Sequence, residues 1–370
     1  MTRLFTLILS VVLLLQVALE THAKDGKWKI AVVSSYHKEY LWSQDTNSGV
    51  IAGLLEFKYL DSREEADRYT KDDFVESPRA IIRKFWMDTK RKSSTKDMSM
   101  AVQRIASEIN QFKPDIILLG DDNAANYIGN MYLDTETPVV FWGINGLPLK
   151  YGLLDTLEKP GHNVTGIFQA GYLLECVDYL KRLLPEVKTM AILSDDSETG
   201  RSKAKELNNL YDAGKLPLRI TGTVITNSYR EWKEKALEFA KKSDSFFVLN
   251  HNTLKDENGM PVDQLDAGAW YLKNISKPDV GHEKQFVEEG VLLVVDDSGF
   301  KQGYEAVKVA HQILEKVRKV SEIPPYAPGR GAVIVNRQRA KMLGLEKRIE
   351  GTPLVEEYIE NALALEKKHD

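Results

Sequence analysis

The chain has one cysteine, Cys176, among 370 residues, so no internal disulfide can form. It has no Gly-x-Ser-x-Gly turn, and Ser34 and Ser35 lack the glycine flanks that expose a hydrolase nucleophile. No Gly-x-Gly-x-x-Gly follows the first strand-like run, which argues against a nucleotide cofactor. There is no His-x-x-x-His and no cysteine pair. His37 and His251 could be drawn with Asp121 as a metal set, but nothing in their spacing supports it, and neither metal nor cofactor is expected. Long basic runs are missing too, and the net charge is only -4, so nucleic acid is not an expected partner. Beyond the N-terminus no apolar run reaches the ~20 residues a spanning helix needs.

What is present is an ordinary globular balance, 43% hydrophobic and 28% charged, over a length that suggests two lobes with separate cores. Residues 1–23 read as a secretory signal: Arg3 is the basic start, 4–15 is almost wholly apolar, and Thr21-His22-Ala23 ends in a small residue. Cleavage near Ala23 and a periplasmic location are expected, the alternative being an uncleaved anchor. Scarce cysteine fits a bacterial periplasm better than an animal secretory route.

The chain repeats one grammar. Apolar runs at 30–33, 116–119, 139–142, 190–193, 246–249 and 291–295 each end in small, polar or acidic residues: S-S-Y-H, G-D-D-N, G-I-N-G, S-D-D-S, N-H-N-T and D-D. Apolar runs without alternation are how strands covered on both faces read, and strand, polar edge, helix repeated is the signature of parallel sheets with crossover helices. The expected fold is therefore α/β, two doubly wound lobes with a ligand cleft between them. Lobes of 24–169 plus 291–320 and of 170–290 plus 321–370 are expected.

Helices are expected over 100–112, 124–133, 173–184, 203–211, 231–241 and 304–320, with another carrying Val50 and Leu54 and capped by Ser43 or Asp45. Residues 61–79 read as a charged surface excursion before a short strand at 85–87. Residues 90–96 read as a solvated basic loop. Residues 256–277 read as a second excursion with one helix, and the tail from 337 as mixed-charge helix.

Five blocks carry a family likeness: S-S-Y-H at 34–37 with Trp42, M-D-T-K-R at 87–91, K-P-D-I-I-L-L-G-D-D-N-A-A at 113–125, P-V-V-F-W-G-I-N at 138–145 and L-E-K-P-G-H-N-V-T-G-I at 157–167. With weaker echoes to 345, the mature chain resembles the substrate-binding proteins of ABC transporters, in the branch with tryptophan and tyrosine receptors, and related extracytoplasmic sensor domains. The resemblance implies a type I periplasmic-binding-protein-like fold, a small ligand clamped between lobes, and no catalysis. The two excursions are closer to the sensor-type members, which leaves open a permease or a signalling protein as partner.

Candidate ligand contacts lie at the strand edges: Ser35, Tyr36, His37, Trp42, Asp121, Asp122, Asn123, Trp142, Asn145, Phe168, Ser194, Asp195, Asn250, His251, Asn252 and Asp296. The acidic pairs at 121–122, 195–196 and 296–297 also suit helix caps and turns, where aspartate is favoured on its own account. If one of each pair faces the cleft, the site prefers an amine or another cationic group. The aromatics are either core or a stacking surface. Expected, then, is a monomeric, non-enzymatic solute-binding protein that delivers a small organic ligand, amino acid or amine-like, to an ABC permease. A sensor module for a membrane kinase or cyclase is the alternative.

Overall fold

The computed structural model describes residues 26–366. The expected signal at 1–23 lies outside the described residues. Among those described, no helix is long and apolar enough to cross a membrane.

The first half builds β1 (Trp28–Ser34), α1 (Leu41–Glu56), α2 (Arg63–Asp72), β2 (Phe74–Glu76), β3 (Ala80–Trp86), α3 (Thr95–Phe112) and β4 (Ile116–Gly120). One α-turn at Asp121–Asn123 and a π-helix at Ala124–Gly129 follow, then β5 (Val139–Asn145) and β6 (Val164–Gln169). The second half runs α4 (Leu173–Leu183), β7 (Thr189–Ser194), α5 (Glu198–Asp212), β8 (Arg219–Ile225), α6 (Tyr229–Ala240), β9 (Ser245–Val248), α7 (Gln264–Asn274), β10 (Asp279–Val280), α8 (Lys284–Glu289) and β11 (Leu293–Val295). It closes with α9 (Gly299–Leu314), β12 (Val333–Asn336), α10 (Arg337–Met342), α11 (Glu346–Ile349), β13 (Glu357–Ile359) and α12 (Leu363–Glu366).

Two sheets result, ordered β2-β3-β1-β4-β5-β6 and β13-β12-β11-β10-β9-β7-β8. Among the described strands, only β2/β3 and β11/β12 are antiparallel pairs. Each sheet contains the same five-strand winding: β3-β1-β4-β5-β6 in one, β8-β7-β9-β10-β11 in the other. In both, the chain lays its second strand on one side of the first and the third on the opposite side. The chain leaving the first strand and the chain leaving the third therefore run to opposite sides beyond the carboxyl ends, and the crevice between those two loops is where open α/β sheets take ligands.

Alternation along each strand explains the packing, because successive side chains leave opposite faces of a sheet. Ile30 and Val32 pack with Val50 and Leu54 of α1 and Val307 and Ala310 of α9, whereas Ala31 and Val33 pack with Ile105 and Ile109 of α3. In the second lobe Met190 and Ile192 meet α4 and α5, and Ala191 and Leu193 meet the α6 and α7 side. Helices α1 and α9 approach so closely that a Cβ on Gly303 would lie 2.1 Å from the Thr46 carbonyl oxygen.

Several expectations need correction. The strand at Leu293–Val295 sits between β10 and β12 in the second sheet, so the return to the first lobe expected at 291–320 is made by α9, not by that strand. Helix α1 begins at Leu41, with no side-chain cap at Tyr40; Ser43 and Asp45 lie inside it. Asp45 instead accepts the Phe300 N–H at 3.0 Å, at the opening of α9, five residues before the start expected at Tyr304. The excursion at 61–79 contains α2 and edge strand β2, and pulls the next strand's start back to Ala80. The expected helix at 124–133 is largely a π-helix, and the tail adds a strand, β13. Strand β10 and helix α8 had no sequence signal, being too short for periodicity to register.

Candidate functional site

At the first switch point, Ser35 stitches the edge together. Its N–H and Oγ both donate to the Gly120 carbonyl, at 3.0 and 2.7 Å, while Oγ accepts the Ala124 N–H at 2.8 Å. This holds Asp121 at the edge in a left-handed conformation, φ 69°, tolerated by aspartate better than by bulkier residues. Asp121 Oδ1 accepts the Trp42 indole N–H at 2.6 Å. Burial is the main reason the Asp121 carboxyl is pushed well above the usual range; Trp42 opposes the shift, and Asp122 and Glu283 add to it.

Asp122 is already engaged. Its carboxylate accepts Asn145 Nδ2 at 2.6 Å and Tyr151 O–H at 2.8 Å, and lies 2.9 Å from Lys150 Nζ. Asn123 donates to Thr89 Oγ1 at 2.9 Å, and Thr89 Oγ1 donates to the Ser35 carbonyl. The 87–90 loop is thus tied to the same edge. Tyr36, Tyr40 and Trp42 form a small buried aromatic cluster apart from the lobe cores, with Tyr36 and Tyr40 edge to face at 5.2 Å.

At the second switch point, Asp195 N–H donates to the Asn250 carbonyl at 2.6 Å. The Asp195 carboxylate accepts N–H groups of Asn252 (2.9 Å) and Thr253 (3.0 Å) and the Ser197 hydroxyl (2.5 Å), so its acceptor capacity goes to its own loops. Ser194 donates to the Asp195 carbonyl.

The two edges face each other. Tyr40 O–H donates to Asn252 Oδ1 at 3.3 Å and accepts Gln285 Nε2 at 3.3 Å. Tyr151 O–H reaches Glu198 at 2.6 Å, and Asn145 Nδ2 reaches Thr199 Oγ1 at 3.4 Å. A chamber of about 360 Å³ remains between the lobes, lined by Tyr36, Lys90 and Asp122 on one side and Ser197, Thr199 and Thr253 on the other. A second groove, about 480 Å³, lies beyond Tyr40 and is lined by His37, Arg91, Asn252 and the inserted 261–265 stretch.

The structure therefore brings Ser35, Tyr36, Trp42, Asp121, Asp122, Asn123, Asn145, Asp195, Asn250 and Asn252 to the interlobe region, with His37 on its rim. It does not bring all the candidates there. His251 turns into the second lobe, where Nε2 lies 2.8 Å from Glu289 Oε2 beside Trp232 and Phe286. Trp142 is core: its ring fills the space a Cβ on Gly120 would need, 2.4 Å away. Phe168 packs against the first lobe's core. Ser194 is buried and spent on its own loop. Asp296 does reach the lobe interface, but in a separate open groove with Asp45 of α1 and Lys284 of α8 rather than at the chamber. For Trp142, Phe168 and Ser194, which lie within strands, the alternation, invisible in an all-apolar run, decides the side.

Sequence reasoning also missed residues. Tyr40 and Gln285 bridge the lobes, and Lys90, read as part of a solvated loop, is only 6% exposed, its ammonium 4.7 Å from the Tyr36 ring centre. The signal available was position: 87–90 follows a strand of the same sheet, at the same edge as S-S-Y-H and G-D-D-N.

Residues 82–349 match the family described as ABC transporter substrate binding protein. The chain belongs to that family. It is a binding protein rather than an enzyme, with a type I periplasmic-binding-protein-like fold of two α/β lobes. A tyrosine-binding protein of Clostridioides difficile (strain R20291) is 27% identical over 246 residues, covering 66% of this chain and 67% of that one. A solved ABC domain from Streptococcus pneumonia in complex with L-Trp superposes with TM-score 0.65 at 20% identity, covering 90% of this chain and 100% of that one. A conserved domain protein from Vibrio cholerae O1 biovar eltor gives TM-score 0.67 at 19% identity, covering 90% and 100%. At those identities the two structures speak for the fold alone.

Proposed function

We propose that this protein captures a small organic solute, amino acid or amine-like, outside the cytoplasmic membrane and delivers it to an ABC permease. The observation that supports this most is the chamber of about 360 Å³ between the two switch points, lined from both lobes by hydroxyls, an aromatic ring and charged groups. Its size suits an amino-acid-sized ligand, and a lining that is polar and charged apart from Tyr36, Met98 and Tyr127 suits one that carries charged groups of its own. The names of two relatives, one tyrosine-binding and one solved with L-Trp, point the same way.

In this reading the 1–23 leader exports the chain to the periplasm, where it acts as a monomer. Ligand binds one lobe and the other closes, hinged where the chain passes between the sheets: near residue 170, between β11 and α9, and over 327–332 ahead of β12. The test is thermal stabilisation of the mature chain by pooled amino acids, amines, nucleosides and aromatic acids. A ligand at 100 times its dissociation constant adds about 2.7 kcal/mol to the stability of the binding state. If a pool stabilises the chain and the bound solute is recovered unaltered, capture stands; if no pool does, or the solute returns chemically changed, it falls.

A further inference from the structure

Every carboxylate lining the interlobe chamber already has a cationic or hydrogen-bonding partner. Asp122 is held by Asn145, Tyr151 and Lys150. Glu198 lies 2.6 Å from the Tyr151 hydroxyl, whose single proton it shares with Asp122, and 3.8 Å from Lys150. Asp196 is paired with Arg201 at 2.8 Å. The opposite holds for Lys90. Its side chain is 6% exposed, lies over the Tyr36 and Tyr40 rings at 4.7 and 5.6 Å, and lines the chamber, yet its ammonium makes no hydrogen bond or ion pair among the described residues. Ring faces offset only part of the desolvation of a buried ammonium, so an anion is the missing partner.

Across the chamber stands the N-terminus of α5. Ser197 caps it by accepting the Gly200 N–H at 3.1 Å, and Ser197, Glu198 and Thr199 line the same cavity. The N–H groups of Glu198 and Thr199 precede the first available helical carbonyl, and the helix dipole adds partial positive charge there. Such a terminus accommodates a carboxylate.

We propose that Lys90 and the opening turn of α5 form the receptor for a carboxylate on the ligand, with the rest of the ligand against Tyr36. This rests on the solute-capture reading and narrows it: the ligand is a carboxylate-bearing compound of amino-acid size, not a bare amine. Because Lys90 belongs to the first lobe and α5 to the second, the carboxylate ties the lobes together.

Titration calorimetry on the mature chain with L-tyrosine, tyramine and 3-(4-hydroxyphenyl)propionate tests this, since the second lacks the carboxylate and the third the amine. Wild type is expected to bind tyrosine at least tenfold more tightly than tyramine. Lys90→Met, which keeps the apolar stem over the rings, is expected to weaken both carboxylate ligands by about ten- to a hundredfold, the range for a hydrogen bond to a charged group. The same variant is expected to leave tyramine within about twofold, and Lys90→Arg to recover part of the loss. Inorganic phosphate, run in parallel, is expected to compete only weakly; competition by phosphate as strong as by tyrosine would overturn the carboxylate assignment. Equal losses for all three probes, or tyramine binding wild type as tightly as tyrosine, would overturn it as well. Stabilisation by neutral sugars or amines with none by any carboxylate would overturn it and leave solute capture standing, whereas no stabilisation by any solute class removes both.

Discussion

The indole N–H of Trp42 lies 2.6 Å from Asp121 Oδ1, a bond between residues 79 apart in sequence. It ties the helix after the first strand to the turn after the fourth, across the switch point of the first sheet. Trp42→Phe keeps most of the ring but removes this donor from a carboxyl that is 2% exposed. A loss of about 1–3 kcal/mol in unfolding free energy is expected, measured by denaturant titration. Asp121→Asn, which tolerates positive φ and keeps an acceptor, is expected to cost less than Asp121→Ala.

Tyr40 is the residue whose hydroxyl meets two side chains of the other lobe, Asn252 and Gln285, both at 3.3 Å. Tyr40→Phe removes both bonds and leaves the ring packed on Tyr36. The expected outcome is a shift toward the open arrangement, seen as a larger radius of gyration by X-ray scattering in the absence of ligand, with the melting temperature changed by only a few degrees. An unchanged radius would show that the two bonds do not hold the lobes together.

The second lobe depends on a buried ion pair. Arg339 of α10 is 1% exposed and donates to Asp279 of β10, 0% exposed, with Nη2 to Oδ2 at 2.5 Å. It also donates to the Ile275 and Lys277 carbonyls. Arg339→Met strands the Asp279 carboxylate in the core. Breaking such a pair from one side costs about 3–5 kcal/mol, and a calorimetric unfolding transition lowered by well over 5 °C is expected. Adding Asp279→Asn should restore part of the loss.

Stability should also depend on pH through Asp296. Burial, with Asp45 nearby, pushes its carboxyl up to about 8. Between the ordinary aspartate value and about 8, the folded protein holds a proton the unfolded chain has released, so stability falls as pH rises through that window. Asp297, raised mainly by burial to about 6, adds to the fall at the lower end. The melting temperature is expected to decline from pH 5 to 8, and Asp296→Asn to flatten the slope.

Some of this was written plainly in the chain. The runs at 30–33, 116–119 and 190–193 read as strands covered on both faces, because a parallel sheet flanked by helices buries both sides of each strand and the same run-then-polar-turn unit recurs along the chain. From that followed the two lobes, the cleft, and the presence of S-S-Y-H, G-D-D-N and N-H-N at its edges. The same local rules could not say which side of an edge a residue leaves. His251 and Asn252 are neighbours, yet one turns into the core toward Glu289 and the other spans the cleft to Tyr40. Nor could they tell whether an aspartate is spoken for: Asp195 is consumed by its own loops, while Lys90, in a stretch that reads as solvated, is sealed over two tyrosine rings. Strand and helix are set by neighbours a few residues apart, which sequence displays. Burial and partnership at the site are set by residues tens to hundreds of positions away, and only the folded chain brings those within reach.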